Sequence, residues 1–212
     1  MNTNFIVPKG DYRKLIVYKK GECIYDITFH FAHRFLSRGD RTVDQMIQSA
    51  RSCKQNIIEG SAASKTSRET EIKLFNVAKA SLDELLADYE DYLRVRNLMI
   101  WSEDKQRRVR EFCRNHNESA LYREIIPQRG DETIANLAIT IIHQEIYLLI
   151  RLIERAKRDF LECGGIREEM TRARIAYRNR NSYSGSNGRS GNNGRYGNNW
   201  RYGNNGSYGN NG

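Results

Sequence analysis

A helical protein can build a two-metal oxidation site when Glu-x-x-His recurs on two helices, because residues three apart share a face and reach one ion together. The histidines of this chain, His30, His33, His116 and His143, do not meet that requirement, since none follows a glutamate by three residues. His30 and His33 stand about one helical turn apart, and Cys113 and His116 repeat that spacing. A shared metal is one reading of such a pair, and a structural pair is the simpler one. No Gly-x-x-x-x-Gly-Lys-Ser/Thr loop is present to cradle a phosphate, and no Gly-x-Ser-x-Gly elbow to raise a nucleophile. The expectation is a protein with no catalytic residue, no metal and no cofactor.

Cys23, Cys53, Cys113 and Cys163 are scattered with no Cys-x-x-Cys pair, which suits buried reduced thiols. Binding chemistry remains. The chain carries 35 Lys and Arg against 26 Asp and Glu, a formal charge of +9. From Asn179 onward only Arg180, Arg189, Arg195 and Arg201 are charged, giving +4, and residues 166–178 add +2 from four arginines against two glutamates. Basicity concentrated toward the C-terminus favours a polyanionic partner there.

Within the body of the chain, Arg51, Lys54, Lys65, Arg68, Lys73 and Lys79 fall outside the apolar heptad positions. Cations so placed bind phosphates without reading sequence. A solvated helix surface, tempered by Glu69, Glu71 and Asp83, is the alternative. Beyond residue 179, Arg189, Arg195 and Arg201 alternate with tyrosines in a Gly-Asn background. That pattern offers stacking and phosphate contacts to single-stranded nucleic acid, with weak self-association as its rival.

The elements that must position these residues are helices. Leu15, Tyr18, Tyr25, Phe29, Ala32 and Leu36 recur at helical steps and predict a first helix from about Tyr12 to Ser37. Gly39-Asp40 supplies a stop and a new cap. Val43, Met46, Ala50, Cys53, Ile57 and Gly60 define a second helix, with Gly60 as its stop and Ser61 to Ser67 as the turn. Thr66-x-x-Glu69 reads as a capping box for a third helix, in which Phe75, Ala78, Leu82, Leu85, Tyr89 and Tyr92 continue to about Arg96. Residues 102–116 suit a shorter basic helix, and Pro127 breaks the connection from Leu121 to Gly130.

A last long helix should run from Asp131 to Cys163, ended by Gly164-Gly165. It carries two apolar rows, Ile139, Ile142, Ile146, Leu149, Ile153, Ala156 and Phe160 beside Ile134, Ala138, Ile141, Leu148 and Leu152. So wide an arc implies a second buried contact, supplied by the short extra helix or by another subunit. The fold expected is all-α: an antiparallel up-down four-helix bundle over residues 12–165, after an arm at 1–11. A basic helical extension follows at 166–178, and a disordered tail at 179–212. No continuous apolar run approaches the roughly 18 residues of a membrane span, and Met1 to Pro8 lacks a charged-then-apolar leader. A cytoplasmic protein without a membrane partner is expected.

Asn56-Ile57-Ile58-Glu59-Gly60 on the second helix is followed by Ala78-Lys79-Ala80-Ser81-Leu82-Asp83-Glu84-Leu85 on the third. In that order they resemble the paired motifs Ser-Ile-x-x-Asn-Ile-x-Glu-Gly and Ala-Arg-Gly-Ser-x-x-Glu-Leu. These belong to the four-helix bundle family of 23S rRNA intervening-sequence proteins and diversity-generating retroelement accessory proteins. The resemblance spans roughly Tyr12 to Cys163. Gln48-Ser49 stands where family members often have a basic pair, and Lys79-Ala80 replaces the usual Arg-Gly. The resemblance implies a non-enzymatic, RNA-binding homo-oligomer, a pentameric ring, that supports a reverse transcriptase and its template RNA. Asn56, Glu59, Ser81 and Glu84 are read as structural, hydrogen-bonding across the helix pair, with ligand contact as the alternative. A protein-interaction scaffold with a self-associating tail is the second functional reading.

Overall fold

The structure, a computed structural model, describes residues 11–64 and 66–185, with the side chains of Cys163, Ile166 and residues 181–185 excepted. Among these residues every regular element is helical. The described residues divide into two units, one up to Ala173 and one from Arg174 onward. In the first unit lie α1 (Ile16–Phe35), α2 (Arg41–Ala63), α3 (Arg68–Val95), α4 (Glu103–Asn115), α5 (Ser119–Ile125) and α6 (Asp131–Cys163). Helix α7 (Ile166–Gly185) begins in the first unit and ends in the second. Residues 179–185 are therefore helical rather than part of a structureless tail, and the remainder of that expectation lies outside the described residues.

Four long helices enclose the core: α1 packs on α2, α2 on α3, α3 on α6, and α6 back on α1. The core interior is aliphatic at its centre, with Ile24, Ile27, Met46, Ile57, Leu82, Leu85, Ile141 and Ile142 at or below 1% exposure. One end is aromatic. The Phe31 ring meets Tyr89 at 4.9 Å and Tyr92 at 4.7 Å between centroids, and the buried Tyr89 hydroxyl donates to Thr28 Oγ1 at 3.1 Å. A buried hydroxyl needs such a partner, since an unmet one costs about 1–3 kcal/mol.

Local signals explain the helix ends, with several corrections. Helix α1 starts at Ile16, because Tyr12–Lys14 forms a separate 3-10 turn and Leu15 is extended. Asp40 caps α2 as its position predicts, accepting from the Thr42 amide at 2.9 Å. The cap of α3 is Ser67, one residue after the expected Thr66: its hydroxyl accepts from the Thr70 amide at 3.2 Å, while Thr66 Oγ1 bonds back to Ala63. Gly60 does not stop α2, which continues to Ala63. Instead it lets α3 approach, since a Cβ at Gly60 would sit 2.6 Å from Phe75 Cε1. Gly164, at φ +74°, does end α6. The connection before α6 is more ordered than expected, forming α5 and a 3-10 turn at Ile126–Gln128.

The wide apolar arc of α6 finds its extra cover in α4, which packs on it. Asn136 fastens the approach to α4: its Oδ1 accepts from the Trp101 amide at 2.8 Å and its Nδ2 donates to the Met99 carbonyl at 2.9 Å. Phe160, expected in the buried row, is 39% exposed. The stretch Asp131–Arg180 contains an 18-residue window of mean hydropathy 1.4, apolar enough for a membrane span, and 61% of it is buried. Asn136, Thr140, His143, Gln144 and Glu145 interrupt it, so it is no continuous apolar run, and its residues wall the helical core.

Candidate nucleic-acid interface

Of the motif residues expected to hydrogen-bond across the helix pair, Ser81 and Glu84 of α3 do so, whereas Asn56 and Glu59 bond within α2. Ser81 Oγ donates to Ser52 Oγ at 3.0 Å, and Asn56 Nδ2 donates to the Ser52 carbonyl at 2.8 Å and its hydroxyl at 3.2 Å. One turn of helix away, Ser49 Oγ donates to Glu84 Oε2 at 3.4 Å. Glu59 stays on its own helix, accepting from Gln55 at 3.1 Å. Ser52 and Ser49 therefore connect the motif residues, and Asn56 and Glu84 each touch one of them rather than each other. The result is a polar ladder between two apolar seams, which fixes the sliding register of α2 on α3.

The cations of α2 and α3 differ in what they are free to bind. Lys73 Nζ is 2.7 Å from Glu69, Lys79 Nζ is 2.6 Å from Asp83, and Arg68 is 3.1 Å from Glu71 and 4.0 Å from Asp159. A phosphate would have to displace a carboxylate at each. Arg51 is exposed with no carboxylate within ion-pair distance among the described residues, and Lys54 Nζ lies 4.4 Å above the Tyr25 ring. Lys65, Arg189, Arg195 and Arg201 lie outside the described residues. On α4, Arg107 pairs with Asp104 at 3.2 Å, whereas Arg108, Arg110 and Arg114 are exposed and have no such partner among the described residues.

Two groupings escape the sequence pattern. The first is on α1, where the buried row is Val17, Lys20, Gly21, Ile24, Ile27, Thr28 and Phe31. Phe29, expected in the core, is 47% exposed, and Tyr25 is half-buried. A polar lysine and a glycine interrupt the true core row, so the competing aromatic row at the same helical spacing reads as the more apolar of the two. The second grouping is internal. Lys20, 3% exposed, donates to the Cys113 carbonyl at 2.7 Å and to Gln144 Oε1 at 2.9 Å.

Cys113 lies in the last turn of α4, where carbonyls have no partner in the helix and a cation is favoured. Gln144 Nε2 also donates to the Arg110 carbonyl at 2.7 Å. Burial lowers the Lys20 proton affinity. Glu145, fully buried on α6, has neither carboxyl oxygen hydrogen-bonded, and burial pushes its carboxyl well above the usual carboxylate range against a smaller pull from Lys20.

Cys23, Cys53 and Cys113 are buried free thiols, and burial pushes Cys23 up to about 12, far from the thiolate that a nucleophile needs. His33 Nδ1 bonds the Phe29 carbonyl at 2.8 Å, and His116 Nδ1 bonds the Phe112 carbonyl at 2.9 Å. Among the described residues no group of three or more His, Cys, Asp or Glu is placed to hold a metal ion. Among the described residues the geometry defines an all-helical protein that exposes several unpaired arginines and an aromatic row on α1. No family model, no curated protein and no solved structure matches the chain.

Proposed function

We propose that the protein is a non-enzymatic, oligomeric nucleic-acid-binding accessory protein of the cytoplasm, with RNA as its partner. In this reading α1, α2, α3 and α6 form an antiparallel up-down four-helix bundle, assembled as the pentameric ring that the motif resemblance implies and supporting a reverse transcriptase. The observation that carries it is that, among the described residues, several exposed arginines have no carboxylate partner, Arg51 on α2 and Arg108, Arg110 and Arg114 on α4 among them. Arginines left in water gain counterion-release energy on meeting a phosphate backbone, whereas paired ones must first break an ion pair. Changing all four to Gln should lower the slope of log affinity against log salt by about four phosphate contacts' worth, with helicity retained. Removing residues 186–212, with Arg189, Arg195 and Arg201, should lower it by at most about three more. An unchanged slope in both variants would refute the reading.

A second reading, a protein-interaction scaffold, is favoured by Tyr147, Ile150 and Leu161, which share one side of α6 and are 57%, 37% and 81% exposed. The same stripe supports self-association. Ile150→Asp should reduce the particle mass in light scattering; a parent protein that scatters as a 24.7 kDa monomer would remove the oligomer from the proposal.

A further inference from the structure

We propose that the solvent side of α1 is a stacking platform for the bases of a single-stranded nucleic acid, with Tyr25, Phe29 and His33 as its rings and Lys54 and Arg34 as its phosphate contacts. The inference rests on the nucleic-acid-binding reading above and gives that activity a site and a strand preference.

The rings form a row at i, i+4 and i+8. Tyr25 and Phe29 have centroids 6.2 Å apart at 33°, and Phe29 and His33 have centroids 4.2 Å apart at 38°. Phe29 stands in the middle and is 47% exposed. The bond from His33 Nδ1 to the Phe29 carbonyl requires the proton on Nδ1, which fixes the imidazole beside the Phe29 ring and leaves Nε2 as an acceptor when the ring is neutral. Tilted rings in sequence suit a flexible strand, whose bases can fan to follow them; paired bases in a duplex cannot.

The surroundings select an anionic ligand over an apolar one. The row borders an open depression of about 720 Å³ whose lining includes His30, Arg34, Arg123 and Asp26. Its one carboxylate, Asp26, is already held by Arg123 at 3.6 Å. Lys54 reaches over from α2 to the Tyr25 ring, so Lys54 of α2 and the exposed Arg34 of α1 flank the aromatic row while Arg123 neutralises Asp26.

The test uses the full chain with fluorescein-labelled oligouridylate and, in parallel, an RNA duplex of equal length at low salt. Phe29→Ala and Tyr25→Ala should each weaken oligouridylate binding by about five- to one-hundred-fold, the range for losing one base stack, with little effect on the duplex. Phe29→Trp should keep the affinity, and its added emission over that of Trp101 and Trp200 should be quenched when oligouridylate binds. If Phe29→Ala, with unchanged melting temperature and particle size, binds oligouridylate like the parent, the platform is wrong while the nucleic-acid reading survives. Absence of quenching in a folded Phe29→Trp protein has the same meaning. If Phe29→Ala changes the particle size instead, the row is a contact between copies and the proposal falls. A parent that binds neither probe overturns both readings.

Discussion

Replacing Gly60 by alanine is expected to destabilise the protein by about 1–3 kcal/mol, although the same change in the middle of an exposed helix is stabilising by about 0.5–1 kcal/mol. The sign turns on Phe75. A Cβ at position 60 would meet Phe75 Cε1 at 2.6 Å and Cδ1 at 2.8 Å, and Phe75, at 1% exposure, has no solvent to retreat into. Relief requires either a shift of α3 away from α2 or a strained ring, and the first would also stretch the Ser52–Ser81 bond of the ladder. Urea unfolding of Gly60→Ala measures the loss. Combining it with Phe75→Leu should cost less than the sum of the two single changes, because the smaller side chain vacates the contested volume. Equal stability of Gly60→Ala and parent would show that the helices do not approach this closely.

The second large effect is a dependence of stability on pH that belongs to Glu145. Its folded-state proton affinity is raised, chiefly by burial. Below the unfolded-state value both states hold the proton, and the group's contribution to stability is then fully present. As pH rises above about 5, the unfolded chain ionises while the folded one does not. Stability is then lost by roughly 1.4 kcal/mol per pH unit until the folded group titrates. Glu145→Gln removes the ionisable group and keeps the shape, so above about pH 5 the variant's melting temperature should rise relative to the parent until the folded carboxyl titrates. The lowered Lys20 proton affinity acts in the opposite sense, raising stability as pH approaches the ordinary lysine range. A parallel pH profile for parent and variant would mean that Glu145 is charged in the folded state.

Much of the helical plan is legible in the chain because its signals are local. Asp40 and Gly164 mark helix ends through side-chain capping and a positive φ, and both act as their types suggest. The third helix is read in register, since Phe75, Ala78, Leu82, Leu85 and Tyr89 are all buried. Failure came where a residue type has two uses. Gly60 satisfies the pattern of a helix stop, but it is needed for interhelical approach, which only the position of Phe75 reveals.

On α1 a lysine occupies a core position because the carbonyls of a distant helix end receive it, and no periodicity foresees that partner. Its presence shifts the apparent core row onto Tyr25 and Phe29. For the candidate site, the identity of the cations is legible but their availability is not. Lys73 and Lys79 have carboxylates one turn away on their own helix, as the sequence allows. The partnership of Arg68 with Asp159 depends on two helices meeting.

The anchoring of α4 has a kinetic side. Lys20 closes contacts across 93 residues to Cys113 and across 124 residues to Gln144, separations whose loop-closure entropy is met only after α1 and α6 have come together. Within α4 itself Cys113 is the single fully buried residue, and Val109 and Phe112 pack half-buried against the core beside it. The helix bearing Arg108, Arg110 and Arg114 is therefore expected to dock late, and its amides should exchange with solvent hydrogen before those of α2 and α3 do.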